Sequence, residues 1–145
     1  MIILDTNVLS ELMKPKPSAH VVRWIAKQPA SELFTTAITE AEIFYGIEQL
    51  GKGKRREALI AAAEAMFLED FRGRIFAFES EAARDFSRIA ARRRALGKPI
   101  SHADAQIAAI ARVRGAKLAT RNCVDFADCG IANVIDPWST AQRDG

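Results

Sequence analysis

Ile2-Ile-Leu-Asp-Thr-Asn7 decides how the rest of the chain is read: an apolar run passes abruptly into an acid, a hydroxyl and an amide. A short apolar run closed by turn residues is the pattern of a buried strand, with its polar residues standing where the strand stops. The pattern recurs downstream. Helical spacing through Leu9, Leu12 and Met13 is broken by Pro15 and Pro17 and resumes from Ser18 through Val21, Val22, Trp24 and Ile25. Residues 32–36 read as a second strand. Thr39 precedes a helix with Ile43, Phe44, Ile47 and Leu50 on one face, which stops at Gly51 before a basic turn, residues 52–56. An alanine-rich helix is expected over about 57–68, a third strand over 74–78, and a long helix over about 80–96, halted by Gly97 and Pro99. Ser101 opens a helix over 104–114 that ends at Gly115, and residues 117–120 and 133–136 supply two more strands. Strands alternating with helices predict an α/β fold: one domain over residues 1–145, with a mostly parallel five-stranded sheet and helices on both faces.

Composition narrows the function classes. The 145 residues suffice for one packed core, and 49% hydrophobic with 27% charged residues is the balance of a water-soluble globular domain. No apolar run approaches the roughly 18 residues a membrane span needs. The opening lacks the basic flank and longer apolar stretch of a secretory signal, so a cytoplasmic location is expected. Cys123 and Cys129 are then free thiols, and His20 and His102, the only histidines, fall in no zinc-ligand spacing. A net charge of +3 is compatible with a polyanionic partner.

In a parallel sheet, ligands bind outside the carboxyl ends of the strands, so acids just beyond those ends are the candidates for chemistry. Asp5 ends the first strand, Glu42 lies in the first turn of the helix after the second, and Asp125 follows the fourth. Asp104, in the first turn of the helix that precedes the fourth strand, joins them if the long helix returns the chain to the same edge. Each acid also has a structural reading. Thr39-Glu-Ala-Glu42 and Ser101-His-Ala-Asp104 have the spacing of capping boxes, Asp5-Thr6-Asn7 suits a turn that caps the next helix, and Asp125 suits a turn. Joint placement is what favours a site. Converging carboxylates repel unless a cation neutralises them, and Mg²⁺ or Mn²⁺ is the fitting cofactor: it binds through a few carboxylates, keeps waters and accepts phosphate oxygens. That chemistry hydrolyses phosphodiesters. Thr6, Asn7 and Asn122 have the polarity to orient carboxylates and waters around it.

Four segments, Ile3-Leu-Asp-Thr-Asn-Val8, Thr39-Glu-Ala-Glu-Ile-Phe-Tyr-Gly46, His102-Ala-Asp-Ala-Gln-Ile-Ala-Ala109 and Thr120-Arg-Asn-Cys-Val-Asp-Phe126, resemble PIN-domain toxins of the VapC type in order and spacing. The closing Asp136-Pro-Trp138 is similar to their FitB-like branch. The resemblance implies a PIN-like single domain, ribonuclease activity, metal-binding or catalytic roles for Asp5, Glu42 and Asp104, and a supporting hydroxyl at Thr6. It also implies a VapB-type antitoxin that enters the acidic groove, and a homodimer. At the fourth acidic position the chain departs from the pattern: Asn122 stands where many relatives have an aspartate, and Asp125 follows three residues on. Either residue remains a candidate for that catalytic place.

An RNA substrate drawn to an acidic centre needs cations along its backbone. Arg121, fixed by the strand end, is the leading substrate-binding candidate, with Lys52, Lys54, Arg55 and Arg56 after the Glu42 helix and Arg92 to Arg94 and Lys98 before Asp104. The alternative for any one of them is a solvated helix face. Two competing functions stay open: an acidic-pocket phosphatase, although Asp5-Thr-Asn7 lacks a second aspartate, and a non-catalytic PIN scaffold binding antitoxin or nucleic acid. Neither a P-loop nor a Gly-x-Gly-x-x-Gly turn is present.

Overall fold

In a computed structural model that describes residues 1–139, Ile2–Leu4 form strand β1, buried on both faces. Side chains alternate across a strand, so Ile2 and Leu4 enter one apolar cluster and Ile3 enters the other. Such a strand needs cover on both sides and belongs at the centre of a sheet. β1 lies between β2 (Leu33–Thr36) and β4 (Lys117–Ala119), parallel to both, with Ile2 opposite Leu33 on one side and Lys117 on the other. Adding β3 (Ile75–Phe76) and β5 (Val134–Ile135) gives the order β3-β2-β1-β4-β5, parallel throughout. Residues 140–145 of the expected domain lie outside the described residues.

One face is covered by α1 (Thr6–Leu12), α2 (Ala19–Ala26), α3 (Ala37–Glu48) and α4 (Lys54–Ala65), which bury Val8, Leu9, Val21, Trp24, Ile43, Ile47 and Ala63. The other carries α5 (Ser80–Ala95) and α6 (His102–Arg114). Ala105, Ala108, Ala109 and Ala111 are all buried in α6, because small side chains let that helix sit close to the sheet and to α5 at once. Among the described residues, no helix is long and apolar enough to cross a membrane.

Several expected boundaries shift for identifiable reasons. The alanine-rich helix starts earlier, at Lys54, and gives way at Met66 to a wider π turn through Asp70, so Lys54, Arg55 and Arg56 open a helix instead of forming a turn. β3 spans only Ile75–Phe76, not 74–78; the Arg74 guanidinium is instead bound to the carbonyls of Ala30, Leu33 and Asp70, tying this edge strand to its neighbours. α6 begins two residues before Asp104, and Thr120 lies beyond β4.

The start of α3 corrects the capping expectation at Glu42. Thr36, not Thr39, is the N-cap; its hydroxyl accepts the Thr39 N–H at 3.1 Å, which places Glu42 in the second turn, clear of any capping box. Ser101 does cap α6, accepting the Asp104 N–H at 3.2 Å. Thr36→Ala is therefore expected to lower stability by about 1 kcal/mol, whereas Glu42→Gln should cost little. Urea unfolding of both variants checks this, and a larger loss for Glu42→Gln would return Glu42 to a capping role.

Candidate active site

The parallel strands bring their carboxyl ends to one edge, and the residues that follow β1 and β4 are joined there by hydrogen bonds. Asp5, only 4% exposed, is the N-cap of α1: its Oδ1 accepts the Thr6 N–H at 2.8 Å. Its Oδ2 accepts the hydroxyl of buried Thr120 at 2.7 Å and, more weakly, the Asn7 amide at 3.4 Å. The same Asn7 amide reaches Thr120 Oγ1 at 3.1 Å while its Oδ1 accepts the Arg121 N–H at 3.2 Å, so one side chain laces the turn after β1 to the turn after β4. Thr120 also accepts the Asn122 N–H, at 3.1 Å. Capping and site placement are thus not rivals at Asp5, since the hydrogen bonds that cap α1 also aim the carboxylate.

Glu42 enters from α3. The Thr6 hydroxyl donates to Glu42 Oε1 at 2.6 Å and lies 3.0 Å from the Thr39 hydroxyl; its single proton being committed to Glu42, Thr39 donates in return. Asp104 completes the set from the first turn of α6. Asp5, Glu42 and Asp104 line one cleft of about 420 Å³ with Thr6, Asn7, Arg121 and Asn122. Burial pushes the Asp5 carboxyl up from 3.8 to about 6; hydrogen bonds from Thr120 and Thr6 oppose this, and the charges of Asp104 and Glu42 add to it. Asp104 is likewise raised, first by burial and then by Glu42 and Asp125, against the Ser101 hydrogen bond and the Arg93 charge.

Asp125 stands apart. It is exposed in the short 3-10 turn Cys123–Phe126 and is not on the cleft wall, although its charge reaches Asp104. Asn122 occupies the wall instead. Lys52, Lys54 and Arg55 are exposed between the end of α3 and the first turn of α4, outside the cleft. Arg93 differs from its neighbours Arg92 and Arg94: it is 5% exposed and donates to the carbonyls of Lys98, Asp125 and Ala127 at 2.7, 2.6 and 3.0 Å, which removes it from the candidate phosphate contacts. Sequence reading gave no site role to Thr120, whose signal was its place at the end of β4, to Trp138, noted only within Asp136-Pro-Trp138, or to the cleft residues Ser10, Glu11 and Lys14.

The donor set fits a hard divalent cation. Asp5 is a buried carboxylate held by hydroxyls and amides, with no cationic side chain bonded to it among the described residues, and three further carboxylates, Glu42, Asp104 and the Lys14-bound Glu11, line the same cleft. Among those residues no three acid, histidine or cysteine side chains are grouped tightly enough to ligate one ion together. Mg²⁺ does not require that, since it commonly takes one or two carboxylates and keeps waters for its other positions.

Known proteins corroborate the architecture. A family profile described as the PIN domain matches residues 2–128. The chain is 38% identical to the VapC ribonuclease Y4jK of Sinorhizobium fredii, covering 97% of this chain and 100% of that one. It is 36% identical to toxin FitB of Neisseria gonorrhoeae, over 95% and 99%. A solved structure of FitAB bound to an IR36 DNA fragment superposes with a TM-score of 0.86 at 36% identity, covering 95% of this chain and 96% of that one. The chain belongs to the PIN domain family, on the branch that holds the VapC and FitB toxins.

Proposed function

We propose that this protein is the toxin of a VapBC-type toxin–antitoxin pair and acts as a Mg²⁺- or Mn²⁺-dependent endoribonuclease, a single domain working in the cytoplasm where its RNA substrate is found. The observation that carries the reading is the meeting of Asp5, Glu42 and Asp104 on one cleft, each delivered by a different helix start or face. Asp5, Glu42 and Asp104 are the residues that would hold the cation, one or two of them directly and the rest through its waters; when bound it supplies charge neutralisation for phosphate oxygens and a more acidic water. Thr120, Asn7 and Thr6 keep the carboxylates in place. Thr6 fixes Glu42 by a 2.6 Å bond, so that Glu42 is oriented before substrate arrives. Arg121 takes a backbone phosphate at the cleft, and Asn122 orients a water or phosphate without adding charge. Lys52, Lys54 and Arg55 meet RNA only beyond the cleft, and Asp125 acts on Asp104 through its charge.

The relatives support the partner assignment: one is named a VapC ribonuclease, another a toxin, and a solved neighbour comes from a structure of FitAB bound to DNA. A VapB-type antitoxin that places an arginine among the carboxylates would compete with the cation for them. A homodimer belongs to the same reading.

Cleavage of an RNA pool with Mg²⁺ or Mn²⁺, its loss in EDTA, and the absence of phosphate release from small phosphomonoesters are the expected results. Phosphomonoester turnover without RNA cleavage would assign a phosphatase, and neither activity in folded, metal-loaded protein would leave a binding scaffold. Calorimetry should show Mn²⁺ binding weakened at least about tenfold in Asp5→Asn, Asp104→Asn, because each change removes a ligand and a charge; unchanged affinity would reject the cation site. Expression without the antitoxin should arrest growth, and coexpression should relieve it.

A further inference from the structure

The acidic cleft contains one aromatic side chain, Trp138, among its described lining residues, and the Arg121 Cζ lies 5.0 Å over the Trp138 ring. We propose that this Arg121–Trp138 stack is a nucleobase platform: an unpaired base of a single-stranded RNA stacks on it while the adjoining phosphate lies along the Asp5–Asp104 edge. The proposal rests on the ribonuclease reading and adds to it the residues that position one base of the substrate.

Both residues are anchored through their backbones before any ligand arrives. The Arg121 backbone N–H donates to Asn7 Oδ1 at 3.2 Å, and the Trp138 backbone N–H to Asp136 Oδ1 at 2.8 Å, just past β5. Trp138 also packs against the apolar cluster that contains α1. Arg121 is exposed, and its charge reaches Glu11, but that carboxylate is already engaged by the Lys14 ammonium at 3.0 Å and the Ser18 N–H at 2.9 Å. The solvent-exposed guanidinium lies over the ring. Bases stack on aromatic rings and on guanidinium planes, and a preformed stack loses little freedom on binding. A positive side chain over an aromatic ring also suits a nucleotide, whose base asks for a flat surface and whose phosphate asks for a cation. A duplex keeps its bases stacked inside and cannot offer one to such a wall, so the fitting substrate is a single strand or loop.

Trp138 fluorescence reports on the platform, because the only other tryptophan, Trp24, is buried in the core. The inactive Asp5→Asn protein is titrated with a short single-stranded ribo-oligomer, with the same oligomer carrying an abasic ribose at each position in turn, and with its duplex. The single strand should quench the emission, the duplex should not, and one abasic position should abolish quenching and weaken binding by about 5- to 150-fold. In the active protein Trp138→Leu should raise KM by a similar factor with kcat nearly kept, and Trp138→Phe should restore most of the loss. Salt-sensitive binding without quenching, with all abasic oligomers equal, would overturn the platform and leave the ribonuclease reading intact. Absence of both binding and cleavage would overturn both. Trp138 variants that cut RNA normally yet bind the antitoxin poorly would overturn the proposal and give this wall to the antitoxin. The abasic series uses the native Trp138, so it decides the matter even where a Trp138 variant fails to fold.

Discussion

Asp5→Asn should cut RNA at least about 100-fold more slowly per folded molecule, and it should also remove a pH dependence of stability that the wild type shows without metal. The two effects share a cause. The Asp5 carboxyl is buried beside two other acids, and its pKa stands at about 6 instead of 3.8. The folded state holds that proton more tightly than the unfolded chain does, so the stabilisation is fully present below about pH 4 and is lost as pH rises through about 6. A displacement of roughly two pH units corresponds to about 3 kcal/mol at most. Asp104, raised for the same reason, adds in the same direction. Divalent cation should restore stability at neutral pH, because it binds the ionised carboxylates of the folded state alone. Urea unfolding in EDTA from about pH 4 to 7, with and without Asp5→Asn, tests the first part, and cleavage on the same samples tests the second. A flat wild-type profile, or full cleavage by the variant, would remove Asp5 from the centre of the site.

Arg93→Leu should cost about 3 kcal/mol, although Arg93 touches neither the cleft nor any substrate. Its guanidinium donates to three backbone carbonyls, those of Lys98, Asp125 and Ala127, and lies 3.6 Å from Cys129 Sγ. Hydrogen bonds from a charged donor are worth about 1.5–3 kcal/mol each, and Leu would leave those carbonyls without a partner in a place where Arg93 itself is almost entirely buried. Arg93→Lys should recover only part of the loss, because an ammonium cannot reproduce the planar fork that spans the α5–α6 turn and the segment after Asp125. A loss under about 1 kcal/mol in urea unfolding of Arg93→Leu would show that water substitutes for the clamp.

Arg93 also marks a limit of sequence reading. Within Arg92-Arg-Arg94, three identical residues at consecutive helical angles, nothing local distinguishes the buried arginine from the two solvated ones; the distinction depends on which face of α5 meets the loop after β4. Glu42 is a similar case. Its spacing from Thr39 suggested a cap, yet Thr36 caps the helix and frees Glu42 to meet Thr6 from across the sheet edge.

By itself the sequence determined the alternation of strands and helices, the buried strand at Ile2–Leu4, and the gathering of acids at strand ends, because hydrophobic period and turn chemistry are local properties and parallel strands must end on one edge. Only the tertiary structure decided which acids share the cleft, that Asp125 is outside it and Asn122 on its wall, and that Thr120 holds Asp5 across 115 positions of chain. Those outcomes depend on angstrom-scale contacts between residues far apart in sequence, where burial and neighbouring charge, invisible in any local pattern, set both the geometry of a carboxylate and its affinity for a proton.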